Sequence, residues 1–191
     1  MNCIKCGSAC QDYHFRVLQV QTLHIRDFGK NSRVQTLGDF EEYDVCASCA
    51  ETKYQYFLND RAAMRKSILL YGGLMVIGLI LAIAFWNGEG VFRLAGLGML
   101  VGGGLCLFNG LQLAARKKRE LLVMPKEKAL YRCAWECMVD GAPKKNDIND
   151  ITYIPVDEET LSRKNGDLML LYDLLPEIAV EAHKRIHGQA E

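Results

Sequence analysis

The chain has 191 residues, 23 Lys and Arg against 23 Asp and Glu, and is 50% hydrophobic, so its formal net charge is zero. With no net basic charge, and with its cations gathered beside apolar segments, it is not composed as a general nucleic-acid binder. Eight Cys in so short a chain would suit a disulfide scaffold, but the opening run Met1-Asn2-Cys3-Ile4-Lys5-Cys6 has no basic stretch followed by an apolar one. No cleaved signal peptide is expected, and the cysteines are read as thiols on a reducing side.

The first elements are two C-x-x-C pairs, Cys3-Ile4-Lys5-Cys6 and Cys46-Ala47-Ser48-Cys49. Two thiolates at that spacing converge around a knuckle turn, so each pair supplies half of a tetrahedral shell, and four thiolates make a closed structural zinc site. The stretch between the pairs can form the hairpin such a site needs. Phe15 to Ile25 is rich in Val, Leu, Thr and aromatic residues, Asp27 to Arg33 holds the turn formers Gly29, Asn31 and Ser32, and Tyr43 and Val45 alternate with Glu42 and Asp44. The same ligands would also serve iron, the less favoured metal here. A redox dithiol is expected in a βαβ setting that this region lacks, and disulfides require a less reducing side.

Cys3-x-x-Cys6-Gly7, a β-rich insert, and Cys46-x-x-Cys49 opening a helix together resemble a zinc-ribbon or treble-clef module over residues 1–60. The resemblance implies zinc held structurally in support of protein or nucleic-acid contacts, and it singles out no activity. Gly7 suits it, because glycine takes the positive φ that such knuckles often require. Cys10 is an extra thiol that departs from a plain four-ligand pattern.

From Ala50 to Tyr71 there is no Gly or Pro, and a helix is expected to run unbroken into the first apolar segment. That segment, Ser67 to Trp86, is uncharged, and at ~1.5 Å per residue about 20 residues cross a hydrocarbon core of ~30 Å. A second, Val91 to Ala115, carries only Arg93, near one end. The turn Asn87-Gly88-Glu89-Gly90 is too short for anything but antiparallel neighbours, with Trp86 and Phe92 at the interface. Arg61, Arg65 and Lys66 precede the pair and Arg116, Lys117, Lys118 and Arg119 follow it, which places both soluble ends in the cytoplasm. Ala95, Gly98, Gly102, Cys106 and Asn109 recur along one face, with Gly98-x-x-x-Gly102 as a small-x-x-x-small pair. This face is expected to pack on the first helix through Gly72, Gly73 and Gly78, or on a second copy as a homo-oligomer.

Beyond the basic cluster, Pro125 suits the first turn of a helix to about Val139, with Ala129, Leu130, Cys133, Ala134, Cys137 and Met138 as its apolar stripe. Ile151 to Val156 reads as a short strand and Asp157 as the cap of a brief helix. Asp167 reads as the cap of a last helix that Pro176 kinks or interrupts. Cys133 with Cys137 and His183 with His187 each share a helical face, but small buried cysteines and solvated histidines explain them without a second metal. The pairs Glu41-Glu42 and Glu158-Glu159 read as solvated surface, and no catalytic run such as H-E-x-x-H or G-x-S-x-G occurs.

The expected fold class is therefore an α+β membrane protein in three regions. These are a β-rich zinc module with four cysteine ligands over residues 1–60, a transmembrane hairpin with basic flanks over 61–119, and a mainly helical cytoplasmic tail over 120–191. The expected metal ligands are Cys3, Cys6, Cys46 and Cys49, and the expected partners are the lipid bilayer and a cytoplasmic protein that the chain recruits or regulates. An oligomeric pore or transport subunit and a membrane enzyme with an unrecognised site are the alternatives; the spans have almost no polar lining apart from Asn109.

Overall fold

The computed structural model describes residues 2–27, 30–59, 64–65, 68–84, 90–146 and 149–188. Gly29, Arg61, Lys66, Ser67, Trp86 and the turn residues 87–89 lie outside the described residues, as do the side chains of Asp27, Asn31, Phe92 and Arg93. In chain order the elements are strands β1 (Tyr13–Asp27) and β2 (Lys30–Val45), helix α1 (Ala47–Leu58), a π-helical turn (Ile68–Gly72), helices α2 (Gly73–Ala84), α3 (Gly90–Val123) and α4 (Lys126–Gly141), strands β3 (Lys145–Asn146) and β4 (Asn149–Pro155), and helices α5 (Glu158–Leu161), α6 (Asn165–Leu171) and α7 (Pro176–His187). They divide into two units, Met1–Ala50 with Ala134–Glu191, and Glu51–Cys133.

The first unit is built on a four-stranded antiparallel sheet in the order β2-β1-β4-β3. Its central strand explains the run Val17-Leu18-Gln19-Val20, which does not alternate apolar and polar as a half-exposed strand would. Both faces are covered. Phe15 and Val17 join Val45, Tyr153 and the α4 residues Ala134, Cys137 and Met138 on one side. Leu18, Val20 and Ile154 join Leu168, Leu174, Ala179, Ala182 and Ile186, from α6, α7 and the turn between them, on the other. Val17, Leu18, Val20 and Ile154 are fully inaccessible, and burying each such side chain contributes about 1.5–3 kcal/mol. The two-strand register slips between Leu18 and Val20, where β2 carries one extra residue. Gly38 lies in that bulge, and a Cβ there would stand 3.1 Å from Gln19 Cβ.

A buried glutamine pins the helical layer to the sheet. Gln35 Nε2 donates to Thr22 Oγ1 at 3.2 Å and to the Asp173 carbonyl at 3.0 Å, and its Oε1 accepts from Leu175 N at 2.6 Å. Asp173 takes a positive φ of 51° at this turn, and its carboxylate pairs with Arg33.

Several expectations are revised here. Residues 134–191 do not stand apart from the N-terminal module, because β4 pairs with β1 over Val17–Thr22 and completes its hydrogen bonding. The last helix is interrupted before Pro176 rather than kinked there, and the proline opens α7 after the extended Leu175, as its fixed φ and missing N–H allow. Asp167 is not an N-cap: three residues into α6, it accepts from Lys164 N at 3.2 Å. Asp157 does cap α5, accepting from Thr160 N at 2.8 Å. The helix expected to run unbroken from Ala50 to Tyr71 is broken at Asn59, where α1 has ended at Leu58; Met64 and Arg65 are again helical, and a π-helical turn precedes α2.

In the second unit α2 and α3 run antiparallel at very close range. A Cβ on Gly96 would stand 2.7 Å from Ala82 N, one on Gly78 2.8 Å from the Gly96 carbonyl, and one on Gly103 2.9 Å from Met75 Cγ. These glycines, not Gly98 and Gly102, form the helix–helix contact; a Cβ at Gly98, Gly102, Gly72 or Gly73 would meet nothing within 4 Å. The face containing Gly98 points about half a turn away from the one α2 occupies. Further along, Leu121, Ala129 and Cys133 are buried with Tyr54, Phe57 and Met124 packed on them, and Lys117 Nζ lies 4.3 Å from the Phe57 ring centroid. Among the described residues one helix is long and apolar enough to cross a membrane, Leu94–Val123, and only 11% of its most apolar stretch is buried. The helical stretch Ile68–Ala84 falls short of that length.

Candidate metal centre

The site grows from the two ends of the long hairpin. Before β1, the chain doubles back in a knuckle: Gly7 N donates to the Cys3 carbonyl at 2.8 Å, and Cys3 N donates to the Ser8 carbonyl at 2.8 Å. Gly7 has a φ of 76°, the left-handed conformation anticipated from its place after Cys6. Ile4 N then donates to the Asp44 carbonyl at 2.9 Å, tying this knuckle to the end of β2. The second knuckle forms where β2 passes into α1, so that Cys46 precedes the first helical residue and Cys49 lies in the first turn. Asp12 accepts from Ala47 N at 2.9 Å, satisfying a free amide at the helix start from across the module.

These turns bring the sulfurs of Cys3, Cys6, Cys46 and Cys49 within 4.8 Å of one another, the one such group of His, Cys, Asp and Glu ligand atoms among the described residues. Cys3 Sγ lies 3.9 Å from Cys49 Sγ, and Cys6 Sγ lies 3.6 Å from Cys46 Sγ. A tetrahedral ion with metal–sulfur bonds of ~2.3 Å separates its sulfurs by ~3.8 Å, while a disulfide needs ~2.05 Å. The cluster therefore has the dimensions of a tetrathiolate metal site such as one for zinc, and not those of two disulfides.

The electrostatics divide the four thiols. Hydrogen bonds from the Ser8 hydroxyl and amide pull the Cys6 thiol down to about 6. Burial pushes Cys3 up, but amides of Cys46, Cys6 and Lys5 outweigh it and hold the thiol below its ordinary value. At Cys46 the Cys49 amide pulls down, yet burial and the bonds with Cys6 and Cys3 leave it raised; burial raises Cys49 too, followed by its sulfur neighbours. One pair leans towards thiolate and the other towards thiol. Four adjacent negative charges need a cation to hold them, and a bound dication would deprotonate the remaining pair.

The surroundings contain groups that sequence spacing did not single out. Asp44 is 4% exposed, and its Oδ1 lies 2.8 Å from His14 Nδ1, so the residue whose carbonyl holds the first knuckle is itself oriented by a histidine. Cys137 is buried behind the second knuckle and its thiol reaches the Cys49 carbonyl at 3.5 Å. Cys10 packs at the edge of the same core but is not a member of the four-sulfur group, and burial followed by the charges of Cys3 and Cys46 raises its thiol. The only advance signal for Asp44 was its position two residues before Cys46.

The second cysteine–histidine combination does not assemble. Cys133 packs with Leu121 and Ala129 and Cys137 with the sheet core, while the rings of His183 and His187 stack on each other with centroids 4.0 Å apart. His187 Nδ1 donates to the His183 carbonyl at 3.0 Å. Glu159 pairs with Arg163, just past the end of α5, and Glu41 accepts from the Tyr43 hydroxyl. No protein-family model, curated protein or solved structure matches this chain.

Proposed function

We propose that Cys3, Cys6, Cys46 and Cys49 hold one structural zinc ion, and that the chain is a membrane-anchored, non-enzymatic adaptor or regulator whose metal-stapled unit meets a cytoplasmic protein. The observation that carries the metal reading is the pair of sulfur separations, 3.6 and 3.9 Å, on either side of the tetrahedral value of ~3.8 Å. With all four positions taken by protein sulfurs, such a site has no open coordination position for a substrate, which favours a structural over a catalytic ion. The zinc-ribbon-like arrangement of two knuckles flanking a β-hairpin supports the same reading.

Membrane anchoring rests on the exposure of α3. A soluble protein would bury a long apolar helix, but Leu94, Leu97, Val101, Leu105, Phe108 and Leu113 are all more than 40% exposed in this structure. In a bilayer that exposure is favourable. The antiparallel α2 is the natural second limb of a hairpin. Its described stretch with the π-helical turn, Ile68–Ala84, spans only about 25 Å at ~1.5 Å per residue, so a complete crossing of a ~30 Å core draws on its flanking residues as well. Arg65 and Arg116 to Arg119 flank the hairpin on one side and favour a cytoplasmic location for both soluble ends.

Metal analysis of the purified full chain under reducing conditions tests the proposal. About one equivalent of zinc per chain is expected; iron in its place would replace the metal but keep the site, and the absence of both would overturn it. Flotation of the chain with phosphatidylcholine vesicles after alkaline extraction tests the anchor, and recovery in the soluble fraction would remove it.

A further inference from the structure

The outward face of α3 carries a stripe that the metal site does not use and of which the anchor draws only on Leu105, Arg116 and Arg119. Gly98, Gly102, Leu105, Asn109, Gln112, Arg116 and Arg119 follow one another at alternating steps of four and three, so they line up along one side of the helix. All seven are exposed. A second stripe at the same spacing, through Gly96, Gly103, Lys117 and Leu121, is the one that α2, Phe57 and their neighbours cover. The helix thus has a packed side and an open side.

The open side changes chemistry along its length. At Gly98 and Gly102 the helix surface is open and bare of side chains, and an added Cβ would meet nothing within 4 Å. Asn109, Gln112, Arg116 and Arg119, with Leu113 and Ala115, then line one concavity. If the crossing begins at Gly90, about 20 residues at ~1.5 Å bring the chain to the far edge of the hydrocarbon near Asn109. Asn109 and Gln112 then lie at the depth of lipid ester groups, and Arg116 and Arg119 one to two turns beyond, at the depth of phosphates. Arg116 uses its Nε for Glu120, at 3.2 Å, and Glu120 also meets Arg132 at 3.4 Å; Arg119 has no ion-pair partner among the described residues.

We infer that the open face of α3 is a binding site for one anionic phospholipid. Its phosphate lies between Arg116 and Arg119, its ester groups meet the amides of Gln112 and Asn109, and an acyl chain follows the helix surface past Leu105, Gly102 and Gly98. The inference rests on the membrane-anchored reading above. Charge complementarity selects this occupant over a second copy, since a parallel α3 on the same stripe would set Arg116 and Arg119 against their own equivalents. Guanidinium groups on phosphate form paired charge-assisted hydrogen bonds, which a zwitterionic headgroup offsets with its own cation.

The test uses the full chain, zinc included, in phosphatidylcholine vesicles doped with spin-labelled phosphatidylglycerol or spin-labelled phosphatidylcholine, reading the motionally restricted fraction. A preference of roughly tenfold for phosphatidylglycerol is expected, lost in the double variant Arg116→Gln/Arg119→Gln and kept in Lys126→Gln/Lys128→Gln. Equal loss in both variants would mean a diffuse basic surface and overturn the site. Full competition by millimolar inorganic phosphate would make it an anion site and overturn the lipid assignment. No preference, together with a Cys106-dependent crosslinked dimer, would give the face to a second copy. A chain that fails to float with the vesicles refutes the anchor itself, whereas one that floats without preference refutes only the lipid site.

Discussion

Replacing Cys46 with Ser keeps the side chain nearly the same size but substitutes a hydroxyl for a thiolate donor, and that substitution isolates the metal from the packing. Structural zinc contributes about 10–16 kcal/mol of apparent binding free energy in small modules, so losing one of four ligands should lower the zinc content well below one per chain and reduce the thermal midpoint by roughly 10 °C or more. Cys10→Ser should leave zinc content unchanged, because Cys10 is outside the four-sulfur group. Zinc analysis and thermal melts of both variants in mild detergent check this, and equal loss in the two would reassign the ligands. Gln35 is the second decisive residue. Its amide serves Thr22, Asp173 and Leu175 at once in a site 7% exposed, so Gln35→Ala should cost about 1–3 kcal/mol by leaving those groups unpaired, read as a lower denaturant midpoint. The four cysteines were legible from spacing alone, since C-x-x-C chelation is a local geometry. Gln35, Asp44 and Cys137 were not, because each acts on a group far away in sequence.

At the scale of elements, the α2–α3 contact turns on glycines that look interchangeable in the sequence. Gly96→Leu should separate the helices and lower the thermal midpoint of the full chain in detergent, since even a Cβ would come within 2.7 Å of the Ala82 backbone. Gly98→Leu should be close to neutral there, and the opposite ranking would mean that α2 packs on the other face. For the contact with α2 the small-x-x-x-small signature pointed to the wrong side of α3, because a glycine-rich helix satisfies the pattern on several faces at once. The hairpin β1–β2 was legible from its apolar runs, whereas the expected turn formers Asn31 and Ser32 lie inside β2 and Gly29 lies outside the described residues. Its full extent, from Tyr13 and unbroken from Lys30 to Glu41, was not, because the pattern of buried residues depends on which face β4, α4 and α7 cover.

At the scale of the whole chain, the N-terminal module is completed by residues more than a hundred positions away. Deleting residues 144–191 should remove β4, expose Leu18 and Val20, and leave a chain that loses zinc on dialysis although all four ligands remain. Zinc retention after dialysis, compared with the full chain, checks this; undiminished retention would mean that residues 1–60 fold without the tail. What the sequence determined by itself was whatever is encoded locally: the two chelating pairs, the apolar runs, the capping of α5 and the positive φ at Gly7. Whether β4 joins β1, which side of α3 is covered, and how a buried glutamine ties a helical turn to a strand were decided only by tertiary structure. Those outcomes depend on how distant segments compete for the same apolar faces and hydrogen-bonding edges, and no single stretch of the chain contains both competitors.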